Sequence, residues 1–170
     1  MLFRSPNEEY DFSLVRHFLF DTAEFLRFEL LATSSYTPLA QVSTKIKGEL
    51  RYHLLHANTW IEQLGSATEE SISRLQTALD VALPYALGIF EESPFEHEII
   101  SSGVFAGEVV LKERWMKKIS EVISRTNLVL PDLKLTIPVM GGRIGEHSRN
   151  LQPLLEEMGE VFRTDPGAQW

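Results

Sequence analysis

Apolar residues recur every three to four positions along most of the chain, the spacing of helices that bury one face. From Asp11 to Ala32 the apolar positions Phe12, Val15, Phe18, Leu19, Phe25, Leu26, Leu30 and Leu31 are too many for one narrow stripe. A helix of that kind is buried or contacted on more than one side. Thr33 to Pro38 reads as a turn, since a residue ahead of proline favours extended geometry. The clearest periodicity runs from Pro38 to Leu64, where Val42, Ile46, Leu50, His53, Leu54, Ala57, Trp60, Ile61 and Leu64 mark an inner face. Gly65 supplies a helix stop.

Ser66 and Glu69 stand in capping-box relation and predict the start of a third helix. Its inner face is Ile72, Leu75, Leu79, Ala82, Leu83, Ala86, Ile89 and Phe90, with a kink or break expected at Pro84. Ser93, Pro94 and Glu96 open a short turn through Ile100. A fourth helix is predicted over Val104–Arg125, with Val109, Trp115, Met116, Ile119, Val122 and Ile123 apolar. Asn127–Met140 holds Pro131, Pro138 and the alternating Leu133, Leu135 and Ile137, so it reads as a long loop or a short extended segment. A last helix is predicted over Gly145–Arg163, with an irregular tail. The whole predicts an all-α fold in a single domain spanning residues 1–170.

Composition narrows the function. Apolar residues make up 44% and charged residues 24% of the 170, the balance of a globular domain with a sizeable core. No apolar run approaches the roughly 18–20 residues that span a bilayer, and the first residues lack the features of a secretory signal. A cytoplasmic location is the resulting expectation. The absence of cysteine excludes disulfides and thiolate chemistry. A net charge of −8 argues against nucleic-acid binding, which draws on Lys and Arg meeting phosphates. Serine-hydrolase, phosphate-loop and dinucleotide motifs are missing, and Gly141–Gly142 follows a prolyl loop rather than a strand, so it reads as a structural turn.

The informative chemistry lies in Glu49-Leu50-Arg51-Tyr52-His53 on the second helix. Ferritin-like di-metal bundles take one carboxylate from each of two helices and a Glu-x-x-His pair from each of the other two. Here Leu50 occupies the position three before His53. Glu49, four before it, is turned about 100° around the helix from Leu50. Asp21 and Glu24 lie on the first helix, within reach of His53 in an antiparallel pair. One carboxylate and one histidine fall short of the about six ligands of a di-metal site. A buried polar cluster of Asp21, Glu24, Glu49 and His53 is therefore preferred to a live metal centre. His56 reads as a surface or boundary residue. Glu91, Glu92, Glu96, His97 and Glu98 gather near a helix start, where carboxylates favour the positive end of the dipole, and read as capping and solubility. Glu146 and His147, opening the last helix, and Glu156 and Glu157 read as a solvated face. Trp60, Trp115 and Trp170 mark packing or interface sites, with core packing preferred for the first two.

Several segments carry a resemblance: Val15–Thr22, Glu49–Leu54, Trp60–Gly65, Thr68–Ser71, Arg74–Asp80, Gly141–His147, Leu154–Met158 and the ending Pro-Gly-Ala-Gln-Trp. In order and at similar spacing, they resemble the C subunit of the phenylacetate-degradation system. The resemblance implies a ferritin-like helical bundle. It also implies a non-catalytic structural subunit of a multicomponent monooxygenase that uses O₂ and NADPH-derived electrons to epoxidise the ring of phenylacetyl-CoA. In that family the related A subunit holds the di-iron centre and binds substrate. This chain would then hold no catalytic residue and no metal, and Asp21, Leu50 and His53 would be vestigial metal-site positions. Its partners would be the A-type subunit and other epoxidase subunits, in a homo- or hetero-oligomer, with neither nucleic acid nor membrane. An active di-metal oxygenase subunit and a stand-alone helical scaffold are the alternatives. Family members carry a further helical hairpin ahead of the segment beginning at Phe12. The bundle is therefore expected to be incomplete at its N-terminus, leaving the apolar first helix to be covered by dimerisation or by another subunit.

Overall fold

The structure is a computed structural model that describes residues 9–168. The described residues form seven α-helices and no strand: α1 Tyr10–Leu31, α2 Thr37–Leu64, α3 Glu69–Leu87, α4 Glu96–Ser101, α5 Glu108–Ile123, α6 Leu151–Met158 and α7 Glu160–Thr164. Short 3₁₀ turns occupy Gly88–Phe90 and Gly142–Ile144. The fold is all-α, and no described helix is long and apolar enough to cross a membrane.

The density of apolar residues on α1 has a direct consequence: it is the central helix, packed against α2, α3 and α5. Phe12, Leu14, Val15, Phe18, Leu19 and Ala23 are all buried, and Phe20 and Phe25 pack against the same core. The expectation that α1 would be left uncovered is corrected here, because three neighbours enclose it. The incomplete cover falls on α2. Leu54, Ala57 and Ile61 are buried, but Val42 is 47% exposed, Tyr52 73%, Leu55 64% and Trp60 38%. Thus Val42, His53 and Trp60, expected on an inner face, lie outside the core. α2 rests mainly on α1, so only a narrow stripe is enclosed.

Trp115 of α5 is fully buried, sits 5.0 Å from the Phe90 ring and donates from Nε1 to the Leu19 carbonyl at 2.9 Å. It joins three elements through one side chain. Trp170 lies outside the described residues.

Helix ends depart from the expected ones for local reasons. The α3 cap is Thr68 rather than Ser66: Thr68 Oγ1 accepts the Ser71 N–H at 3.1 Å, and Ser71 Oγ accepts the Thr68 N–H at 3.1 Å. α3 runs unbroken through Pro84 and ends one turn later at Gly88, where proline forfeits only one ladder bond. α5 starts at Glu108 rather than Val104, because Gly107 takes a positive φ of 97° ahead of it. The expected long last helix is instead a turn and two short helices that meet at Gly159, and Glu146 and His147 precede α6 rather than open it.

Between α5 and α6 the chain forms a long strap. Its first part returns across the α2–α3 junction, where the Asn127 N–H meets the Gly65 carbonyl at 2.9 Å. A Cβ at Gly65 would lie 2.6 Å from the Ile61 carbonyl and 3.1 Å from Leu128, so the close approach requires glycine.

Trp115→Ala should cost about 3–5 kcal/mol of unfolding free energy in a denaturant titration, from lost burial and a residual cavity. Trp115→Phe, which loses chiefly the Nε1 hydrogen bond, should cost about 1 kcal/mol beyond its smaller volume change. Equal losses for the two substitutions would contradict the packing role.

Candidate functional site

Antiparallel packing of α1 on α2 sets residues 10–21 opposite residues 52–56. A groove of about 450 Å³ lies between them, lined by Tyr10, His17 and Asp21 from α1 and Tyr52, His53 and His56 from α2, among others. His17 and Asp21 are four apart, as are Tyr52 and His56, so each pair shares one helix face. Asp21 is only 6% exposed, and its Oδ2 lies 3.5 Å from Nδ1 of the half-exposed His17. Burial raises the Asp21 pKa above its ordinary 3.8. The charges of His17 and His53 and a hydrogen bond from His17 pull the other way without cancelling the shift.

The four residues expected to form one buried polar cluster do not do so. Asp21 and His53 face the same groove and interact electrostatically, although His53 itself is exposed. Glu24 pairs with Arg27 at 3.2 Å, one helical turn away from the groove. Glu49 is exposed and outside the groove, because its rotation around α2 takes it off the face that meets α1. Leu50, one turn before His53, is half-buried. His56 is exposed, as a boundary residue would be, and also lines the groove. Sequence reasoning missed His17, although its four-residue spacing from Asp21 was available as a signal.

The donor set does not fit a di-metal centre. Among the described residues, no group of three or more His, Asp or Glu side chains is placed to hold a metal ion. The groove offers one buried carboxylate and nearby imidazoles, an arrangement that can hold and exchange protons.

A second polar centre was not foreseen. Glu108, at the start of α5, is 2% exposed. Arg27 of α1 grips it bidentately, Nη1 to Oε1 at 2.5 Å and Nη2 to Oε2 at 3.1 Å, and Arg143 of the strap pairs with Oε1 as well. Burial works against the Arg27 charge, but the hydrogen bonds and charge of Glu108, followed by those of Glu24, outweigh it and raise the guanidinium pKa. The Phe105 ring lies 5.7 Å from the same guanidinium. Glu96 accepts the Glu108 backbone N–H at 2.6 Å, so it caps α5 rather than merely its own short helix. Glu91 accepts the N–H groups of Gly141 at 3.0 Å and Arg143 at 3.1 Å. Two members of the acidic group, Glu91 and Glu96, therefore hold distant backbone, beyond capping and solubility. Arg27 within the apolar run Phe25-Leu26-Arg27-Phe28 was the available signal, since a cation there needs a buried partner.

A central apolar helix enclosed by long helices, with a carboxylate and a histidine on the α1–α2 groove, defines an all-α protein, the architecture of the ferritin-like helical family that its sequence matches. Residues 1–170 match the family described as phenylacetic acid catabolic protein, and the chain belongs to that family. It is similar to the C subunit of 1,2-phenylacetyl-CoA epoxidase from Escherichia coli (strain K12), with 27% identity over 170 residues, all of this chain and 68% of that relative. The chain therefore takes part in phenylacetate catabolism.

Because the Asp21 pKa is raised in the folded state, its ionised form costs stability at pH values above 3.8. Asp21→Asn should raise the melting temperature at pH 7, and the gain should vanish as the pH falls below the ordinary carboxylate range. A destabilising effect at pH 7 would reverse the assignment. Glu108→Ala leaves Arg27 without its buried partner and should cost about 3–5 kcal/mol in chemical denaturation; a loss below about 1 kcal/mol would show that the ion pair is dispensable.

Proposed function

We propose that the chain is a non-catalytic structural subunit of a multicomponent monooxygenase that epoxidises the ring of phenylacetyl-CoA. It carries no metal itself, and the di-iron centre resides in an A-type partner subunit. Support for the subunit role comes from family membership and from the name of the Escherichia coli relative. The observation that carries the non-catalytic part is the donor set beside Asp21. The position three before His53, where a di-metal helix presents a glutamate, is Leu50.

The face left uncovered on α2 supports a partner role. Val42, Tyr52, Leu55 and Trp60 are large apolar groups left exposed around α2, with Trp60 set 6.3 Å edge-on to His56. Exposed tyrosine and tryptophan are residue types that dominate binding energy at protein interfaces. The A-type subunit is the proposed occupant.

Co-expression with the A-type subunit, followed by size-exclusion with light scattering and metal analysis, tests the reading. A stable hetero-complex is expected, with iron tracking the A-type subunit and Tyr52→Ala with Trp60→Ala weakening assembly at least tenfold. About two equivalents of iron on the chain by itself, with epoxidation in the absence of any partner, would make it catalytic in its own right. A monodisperse monomer that ignores the A-type subunit would make it a stand-alone scaffold.

A further inference from the structure

We infer that residues 134–146 form a detachable strap, latched to the helical body by Glu91 and by the Arg143–Glu108 ion pair. The two ends of the long α5–α6 connection are held by different physics. At the near end Leu128 is buried, and Leu130 and Leu133 pack against the core. There Val129 and Gln76 also exchange two hydrogen bonds, N–H to Oε1 at 2.8 Å and Nε2 to the carbonyl at 2.9 Å. Beyond Leu133 no apolar side chain of the strap is buried: Leu135, Ile137, Val139, Met140 and Ile144 are all exposed. The far end is held by polar contacts. The Val139 N–H donates to the Pro84 carbonyl at 2.9 Å, Glu91 takes the Gly141 and Arg143 N–H groups, and the Arg143 guanidinium reaches Glu108.

The turn that presents these groups is preformed. Gly141 has φ +94°, and its carbonyl accepts from the Ile144 and Glu146 N–H groups at 3.2 and 2.9 Å. A Cβ on Gly141 would collide with the Glu146 side chain at 2.5 Å, so the tight form requires glycine.

Release is electrostatically tolerable because Glu108 has two cationic partners. When Arg143 leaves, Arg27 still grips the buried carboxylate bidentately and itself keeps Glu24. No charge is stranded in the core, the condition that makes breaking most buried pairs costly. α6 and α7 follow the latch and carry an exposed apolar row of Leu155, Met158, Val161 and Phe162, so the latch sets where this amphipathic arm is held.

Hydrogen–deuterium exchange on the full chain tests the strap. In the wild type, the amides of Val139, Gly141 and Arg143 should be protected. Glu91→Ala should accelerate exchange across residues 139–146 by about tenfold or more, while α1, α5 and Val129 keep their protection. Arg143→Met should act in the same direction and leave the melting temperature close to wild type, whereas Arg27→Met should lower it clearly. Unchanged exchange at residues 139–146 in Glu91→Ala would overturn the proposal. So would loss of protection that spreads into residues 126–133 or α5, or a melting temperature that falls as far with Arg143→Met as with Arg27→Met.

Discussion

An ionised carboxylate taken out of water must recover its hydration energy from protein donors, and Glu108 does so with two guanidinium groups drawn from opposite ends of the chain. That requirement organises the molecule. Arg27 can serve only if α1 runs past the start of α5, and its Nη2 also reaches the Ile89 carbonyl after α3 at 3.5 Å. Glu96 can cap Glu108 only if α4 folds back onto the same point. One buried negative charge therefore fixes how α1, α4 and α5 meet and gives the strap a latch point. Apolar burial supplies the driving force but is non-directional, and the charge-assisted hydrogen bonds supply the register.

The groove beside Asp21 obeys a different balance. Its carboxylate is buried beside His17, which is charged only when protonated. Burial therefore governs its proton affinity, whereas Glu108 is held by two guanidinium groups. A di-metal site needs several donors converging on one point, and the neighbouring helical positions carry Leu50 and the outward Glu49.

Helix existence was legible because it depends on local periodicity. The 3.6-residue repeat in α2, α3 and α5 and the apolar excess of α1 foretold the elements. Boundaries were less legible where the decisive group comes from far along the chain. The start of α5 is set by the positive φ of Gly107 and by Glu96 twelve residues earlier. The C-terminal periodicity was real, but Gly145 and Gly159 divide it. At the site, the structure sets Asp21 and His53 on a common groove, whereas Glu24 pairs with Arg27 and Glu49 lies outside the groove, because the facing of a side chain depends on how the two helices pack.

The sequence by itself determined the class of fold, the lack of thiol chemistry and the leucine where a di-metal helix carries glutamate, since each follows from residue identity or short-range spacing. Only the tertiary structure decided which polar residues are buried together. Glu108 meets Arg27 across 81 positions and Arg143 across 35, separations at which no local pattern specifies a partner. Tertiary packing likewise moved the uncovered apolar face from α1 to α2, because exposure depends on how many neighbours a helix has and not on its own stripe alone.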